Sequence, residues 1–135
     1  MGTGRTPAKV ITKTAMPRFA VLRHESDRDT HWDFFFETGE KLKTWAAEVA
    51  PRAGEQVACK ELGEHRKVYL EYQGPISGDR GTVLRWDQGT FETECQSDDA
   101  WIFKVAGQWL QGRLVFSRQV DVANQWRLKF EPKPH

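Results

Sequence analysis

At 135 residues, 39% of them hydrophobic with six Trp and eight Phe, the chain is long enough for one aromatic core and too short for a catalytic domain plus a separate binding domain. Twenty Lys and Arg stand against 19 Asp and Glu, so a net charge of +1 excludes an overall basic field for nucleic acid and leaves only a local patch. Cys59 and Cys95 make neither a disulfide framework nor zinc-finger spacing, and no apolar run suits a bilayer span or a signal peptide, which predicts a soluble, cytoplasmic monomer with no membrane contact.

Residues 1–17 mix Gly, Thr and Pro with Arg5, Lys9 and Lys13 and read as a basic N-terminal arm, with one β-domain over 18–135. Arg18 to His24 is a predicted strand, and the polar stretch Glu25 to Thr30 turns it into a second one. Along that second strand His31, Asp33 and Glu37 share one side and Trp32, Phe34 and Phe36 the other, with Phe35 the exception on the polar side. Residues two apart on a strand point the same way about 6.6 Å apart, so His31 and Asp33 can converge on one small ion. The hairpin brings His24 close to His31. Imidazole and carboxylate donors suit Mn²⁺, Fe²⁺ or Zn²⁺ without choosing among them, and an exposed strand face with no role carries the same residues.

Thr38 to Glu40 is a turn, Lys41 to Ala46 a strand, and Pro51 to Gly54 a break. Gln56 to Glu64 fits a short helix or a strand. In the next segment His65 and Tyr69 share a face on either a strand or a helix, so imidazole and phenol can act together. Gly74 to Gly81 is a Gly-rich loop without the Gly-Lys-Ser/Thr of a P-loop. Strands at Thr82 to Trp86 and Thr90 to Glu94 flank a predicted turn Asp87 to Gly89, and three more follow over 101–105, 109–118 and 125–131. Seven or eight short strands with regular turns indicate a mostly β fold, a barrel or a sandwich, and a barrel removes the edges best.

The order of these motifs resembles the 3′-phosphoesterase domain family of bacterial DNA ligase D. The matching residues are Phe19 to His24, His31 to Glu37, Leu42 to Ala46, His65 with Tyr69, Gly74 to Ile76, Gly81 to Phe91 and Leu110 to Leu114, with Gly81 to Phe91 the most specific. The resemblance implies a small closed or nearly closed β-barrel with one or two short helices. It also implies Mn²⁺-dependent removal of ribonucleotide or phosphate groups from 3′ ends of nucleic acid in strand-break repair, with Zn²⁺ or another transition metal also matching the donors. A separate DNA ligase is then an expected partner. Position by position, His24, His31 and Asp33 resemble the family's metal ligands, and His65 and Tyr69 the groups that engage phosphate. Where the family has Arg, two residues after the Asp, this chain has Phe35; His65 is followed by Arg66 instead of Pro; the histidine spacer is one residue longer and the Gly-rich loop shorter. Arg28 in the spacer or Arg80 in the loop could supply the missing phosphate-binding charge.

Two functions follow from different classes. The first is a metal-dependent phosphoesterase on 3′ ends. The second is a barrel that binds nucleic-acid ends or phosphate but has lost turnover with the Arg, since one positioned electrostatic group carries about 10²- to 10³-fold in rate. An Fe²⁺ oxygenase facial triad fits His-x-Asp too, but 135 residues is short for that fold.

Overall fold

The computed structural model describes residues 16–134, so the basic arm expected over 1–17 lies, apart from Met16 and Pro17, outside the described residues. Among the described residues nine antiparallel strands follow in chain order: β1 (Arg18–Glu25), β2 (Thr30–Glu37), β3 (Leu42–Ala47), β4 (Gln56–His65), β5 (Gly74–Pro75), β6 (Thr82–Gln96), β7 (Ala100–Gly107), β8 (Gln111–Arg118) and β9 (Trp126–Pro132). The sheet order is β1-β2-β3-β4-β9-β8-β7-β6-β5, and β1 also pairs with β6. Eight strands therefore form a ring, the nearly closed β-barrel expected, with two-residue β5 appended to β6. Among the described residues the helical content is one 3-10 turn, Lys67–Leu70, and no helix is long and apolar enough to cross a membrane.

Period-two alternation places Phe19, Phe34, Phe36, Trp45, Phe91, Phe103, Phe116 and Trp126 inside the ring, each essentially buried. Their rings pack face to face and edge to face, with Phe36 stacked 3.8 Å from Phe103 and Trp45 stacked 4.1 Å from Phe116. Cys59 lies in this core, where burial pushes its thiol up to about 12 and leaves it unreactive at neutral pH. Cys95 is only half-buried.

Alternation fails on β1 and β2, where four consecutive residues are buried on each: Phe19 to Leu22 and Asp33 to Phe36. The reason is a second apolar cluster on the outer face, where Ala20, Leu22, Phe35, Leu42 and Val83 are roofed by Leu70 of the 3-10 turn, with Tyr69, Tyr72 and Ile76 at its edge. Phe35 is thus no intruder on a polar face. It is 2% exposed, in a core that the local pattern of β2 could not reveal, because its roof comes from residues about 35 positions downstream.

Three segments differ from expectation. Gln56 to Glu64, open between helix and strand, is strand β4. His65 ends that strand and the 3-10 turn begins two residues later, so the His65–Tyr69 stretch is neither one strand nor one helix. The turn predicted at Asp87 to Gly89 is instead the middle of β6, with a bulge opposite Val21 and Leu22. Asp87 is buried there because its carboxylate accepts from the backbone N–H groups of Gln88, Gln108 and Leu110, each at 2.8 Å, and from Trp109, which fastens the turn between β7 and β8 to mid-β6. Gly89 belongs to the same contact, since a Cβ there would strike the Ala106 carbonyl.

Candidate metal centre and its flanking cleft

The β1–β2 register sets His24 directly opposite His31, ring centroids 4.6 Å apart, and places Asp33 two residues further along β2 on the same outer face. One donor atom from each of the three lies within 4.8 Å of the others. Asp33 is 7% exposed and both imidazoles are half-buried, so the trio sits in a shallow recess and not on a solvated strand face.

Hydrogen bonds at the outer edge orient the rings. His24 Nε2 lies 2.7 Å from the Arg80 carbonyl, which can only accept, so Nε2 carries the proton and Nδ1 presents its lone pair to Asp33 Oδ2 at 3.5 Å. His31 Nδ1 lies 3.3 Å from Asp29 Oδ2, leaving Nε2 to face Asp33 Oδ1 at 3.2 Å. In the neutral state two imidazole lone pairs and a carboxylate therefore point at one another. Asp33 Oδ1 is buried and, among the described residues, receives no hydrogen bond while His31 Nε2 carries no proton. A buried acceptor facing two further acceptors costs free energy unless a cation lies among them. The donor set, neutral N, N and anionic O with outer acceptors on both rings, fits a divalent transition metal.

The same geometry lets a proton compete for that place. The Asp33 carboxylate beside Nε2 raises the His31 pKa above 6.5, first by the hydrogen bond it accepts once Nε2 is protonated and then by its charge, with Asp29 adding to it and partial burial opposing. Mn²⁺ binding by these atoms is therefore expected to weaken as pH falls through the raised value, starting above 6.5 where an ordinary histidine would start. For the ion-free protein the sign is opposite: the stability His31 contributes is fully present below its unfolded value and is lost as pH rises through the folded one. Melting curves with and without Mn²⁺ between about pH 5 and 8 check this. The ion-induced gain should grow with pH; a constant gain would exclude His31 as a ligand.

His65 closes β4 on the same face. Thr44 Oγ1 donates to the Leu42 carbonyl at 3.1 Å and so accepts from His65 Nδ1, also at 3.1 Å, which leaves His65 Nε2 with the free lone pair. Phe35 lies between this histidine and the trio. Two residues from Asp33 along β2, it meets His65 edge-on at 5.4 Å and stacks on Tyr69 at 5.9 Å, while His65 and Tyr69 are themselves 5.7 Å apart. The structure thus brings His65 and Tyr69 together as expected, with an apolar ring where a guanidinium was implied by resemblance.

Of the two arginines, Arg80 adjoins the trio through its backbone, and its side chain folds onto Ser77, Nε to the carbonyl at 2.7 Å. Arg28 is exposed in the β1–β2 loop, and no hydrogen bond or ion pair among the described residues ties its guanidinium to the trio. Beyond Tyr69 opens a cleft of about 310 Å³ lined by Arg66, Tyr69, Tyr72, Ile76, Ser77 and Arg80, among others. Asp29, Thr44 and the Arg80 carbonyl were not singled out by sequence. Asp29 could have been, standing two residues before His31; the Thr44–His65 contact spans 21 residues and the His24–Arg80 contact 56, with no local signal.

Comparison with known proteins gives two matches. The DNA Ligase D 3′-phosphoesterase domain family matches residues 22–118. The chain is also 30% identical over 138 aligned residues to the Multifunctional non-homologous end joining protein LigD of Pseudomonas aeruginosa, an alignment covering 93% of this chain and 16% of that protein.

Proposed function

Because this chain belongs to the DNA ligase D 3′-phosphoesterase domain family, we propose that it hydrolyses phosphate or ribonucleotide groups from 3′ ends of nucleic acid, using a divalent metal, Mn²⁺ above others, held by His24 Nδ1, His31 Nε2 and Asp33. The observation that carries the reading is the trio itself, three donor atoms within 4.8 Å of one another around a buried carboxylate oxygen that lacks a hydrogen bond among the described residues. When bound, the ion supplies Lewis-acid polarisation of a phosphoryl oxygen and a more acidic water.

The chain's own groups do the rest. Asp29 and the Arg80 carbonyl hold the two imidazoles in their ligating orientation. His65, its Nδ1 proton committed to Thr44, offers Nε2 to take a proton from water or, once protonated, to give one to the departing oxygen. Tyr69, stacked on Phe35 and lining the cleft, would orient the phosphate through its hydroxyl. The relative's name joins end joining to several activities, and this chain covers 16% of it; a ligase carried on another polypeptide or segment is the partner this reading requires.

One observation favours a second reading. Phe35 packs buried apolar surface against both His65 and Tyr69, so no guanidinium at that position can grip a phosphate. That arrangement suits a domain that binds ends and turns them over slowly or not at all. Release of inorganic phosphate from a 3′-phosphorylated oligonucleotide separates the two. The esterase reading expects release with Mn²⁺, none with chelator, and a loss of about 10²-fold or more in His65→Ala. Metal-dependent binding of the oligonucleotide without release would establish the second reading instead.

A further inference from the structure

The cleft beside the trio has the makings of a base-binding subsite. It is lined by Arg66, Tyr69, Tyr72, Ser77 and Arg80 among others, with no carboxylate among the described residues that line it, in a chain whose charges otherwise nearly cancel. Arg66 and Arg80 are exposed, so their guanidinium groups can meet a ligand without first leaving a buried site. The Tyr72 hydroxyl donates to the Pro75 carbonyl, and its ring meets Tyr69 at 6.4 Å, nearly perpendicular. Both tyrosines sit at the edge of the second apolar cluster, half-buried. Tyr72 is therefore a platform fixed before any ligand arrives, with little side-chain freedom left to lose on binding.

The cleft is also joined to the trio. Arg80 lines it with its side chain while its carbonyl holds His24. Tyr69 lines it while stacking on Phe35, two residues from Asp33. A strand with its 3′ terminus at the trio would pass its neighbouring nucleotide over this surface. Fixed aromatic rings beside exposed guanidinium groups are the pairing that takes up a nucleobase and its phosphate without reading sequence.

We propose that this cleft binds a nucleotide of the processed strand, the base against Tyr72 and the adjoining phosphate at Arg66 and Arg80. The proposal rests on the reading of the trio as a 3′-end site, and it names what sets the preference for a polynucleotide end over a small phosphate ester. Without a guanidinium at position 35, Arg66, which stands where the resembling family has Pro, becomes a main source of phosphate attraction.

The test is fluorescence anisotropy of a 5′-labelled single-stranded DNA with a 3′-phosphate, on the full chain with Mn²⁺ present. Tyr72→Leu should weaken binding about fivefold or more, the effect of losing one stacked base, while Tyr72→Phe, which keeps the ring, should bind nearly as wild type. Arg66→Ala, an exposed change that cannot unfold the barrel, should weaken binding and lower the slope of log affinity against log salt by about 1. Mn²⁺ affinity should stay the same in all three. An oligonucleotide with an abasic site in place of the neighbouring nucleotide should bind wild type about as weakly as the intact one binds Tyr72→Leu. Wild-type affinity in both Tyr72→Leu and Arg66→Ala would overturn the proposal even if phosphate release is normal. Tyr72-dependent binding with no release by wild type would support the cleft and overturn the esterase reading, so the two failures are distinguishable.

Discussion

Replacing Phe35 by Ala is expected to lower the unfolding free energy by about 3–5 kcal/mol, the usual cost of emptying an aromatic site in a packed core. Phe35 is 2% exposed and supports three neighbours at once: His65 at its edge, Tyr69 on its face and the apolar cluster of Ala20, Leu22, Leu42, Leu70 and Val83 beneath the 3-10 turn. Its loss should loosen the turn Lys67–Leu70 and with it the positions of Tyr69 and Arg66. Urea unfolding followed by tryptophan fluorescence measures the cost, because the buried Trp45 and Trp126 report on the other core. Mn²⁺ binding at temperatures where the variant stays folded should be unchanged, since Phe35 contributes no donor atom to the trio. A loss below about 1 kcal/mol would mean the second cluster is not a packed core.

Phe35 also marks the limit of what the sequence reveals. The barrel was legible because period-two alternation and turn residues are local, and the aromatic count alone forecast its interior. The trio was legible for the same reason: His24, His31 and Asp33 belong to one hairpin, whose register follows from a short loop. The roof over Phe35 was not, because Leu70, with Tyr69, Tyr72 and Ile76 at the cluster's edge, reaches it from distant positions. Asp87 to Gly89 misled for a different reason. Asp-Gln-Gly carries turn chemistry, but Asp87 uses its acceptor capacity on another strand pair's turn and Gly89 serves a close backbone approach, so residues chosen for long-range contacts imitate a local signal.

Asp33→Ala should cost at least about 10²-fold in Mn²⁺ affinity, with a comparable loss in release of 3′-phosphate, since removing even the outer partners of metal ligands costs 10- to 100-fold. At pH above the raised His31 value, where both imidazoles are neutral, the ion-free variant should fold at least as well as wild type. It loses a buried carboxylate whose Oδ1 has no hydrogen bond among the described residues and which faces two imidazole lone pairs, an arrangement that without a cation destabilises the native state. Asp33→Asn, nearly the same shape, serves as the control for packing. Wild type should gain about 2.7 kcal/mol of stability when Mn²⁺ is present at 100 times its dissociation constant, and both variants should gain almost none at that concentration. Equal stabilisation of wild type and Asp33→Ala would place the ion elsewhere.

The most direct measurement is anomalous scattering at the manganese edge from crystals of the chain soaked in Mn²⁺. The expected result is one strong peak about 2.0–2.3 Å from His24 Nδ1, His31 Nε2 and an Asp33 oxygen, with His24 Nε2 still on the Arg80 carbonyl. A soaked crystal with no peak among these three side chains, or with its peak at another site while the two imidazoles keep their present contacts, would contradict the assignment of this trio as the metal centre.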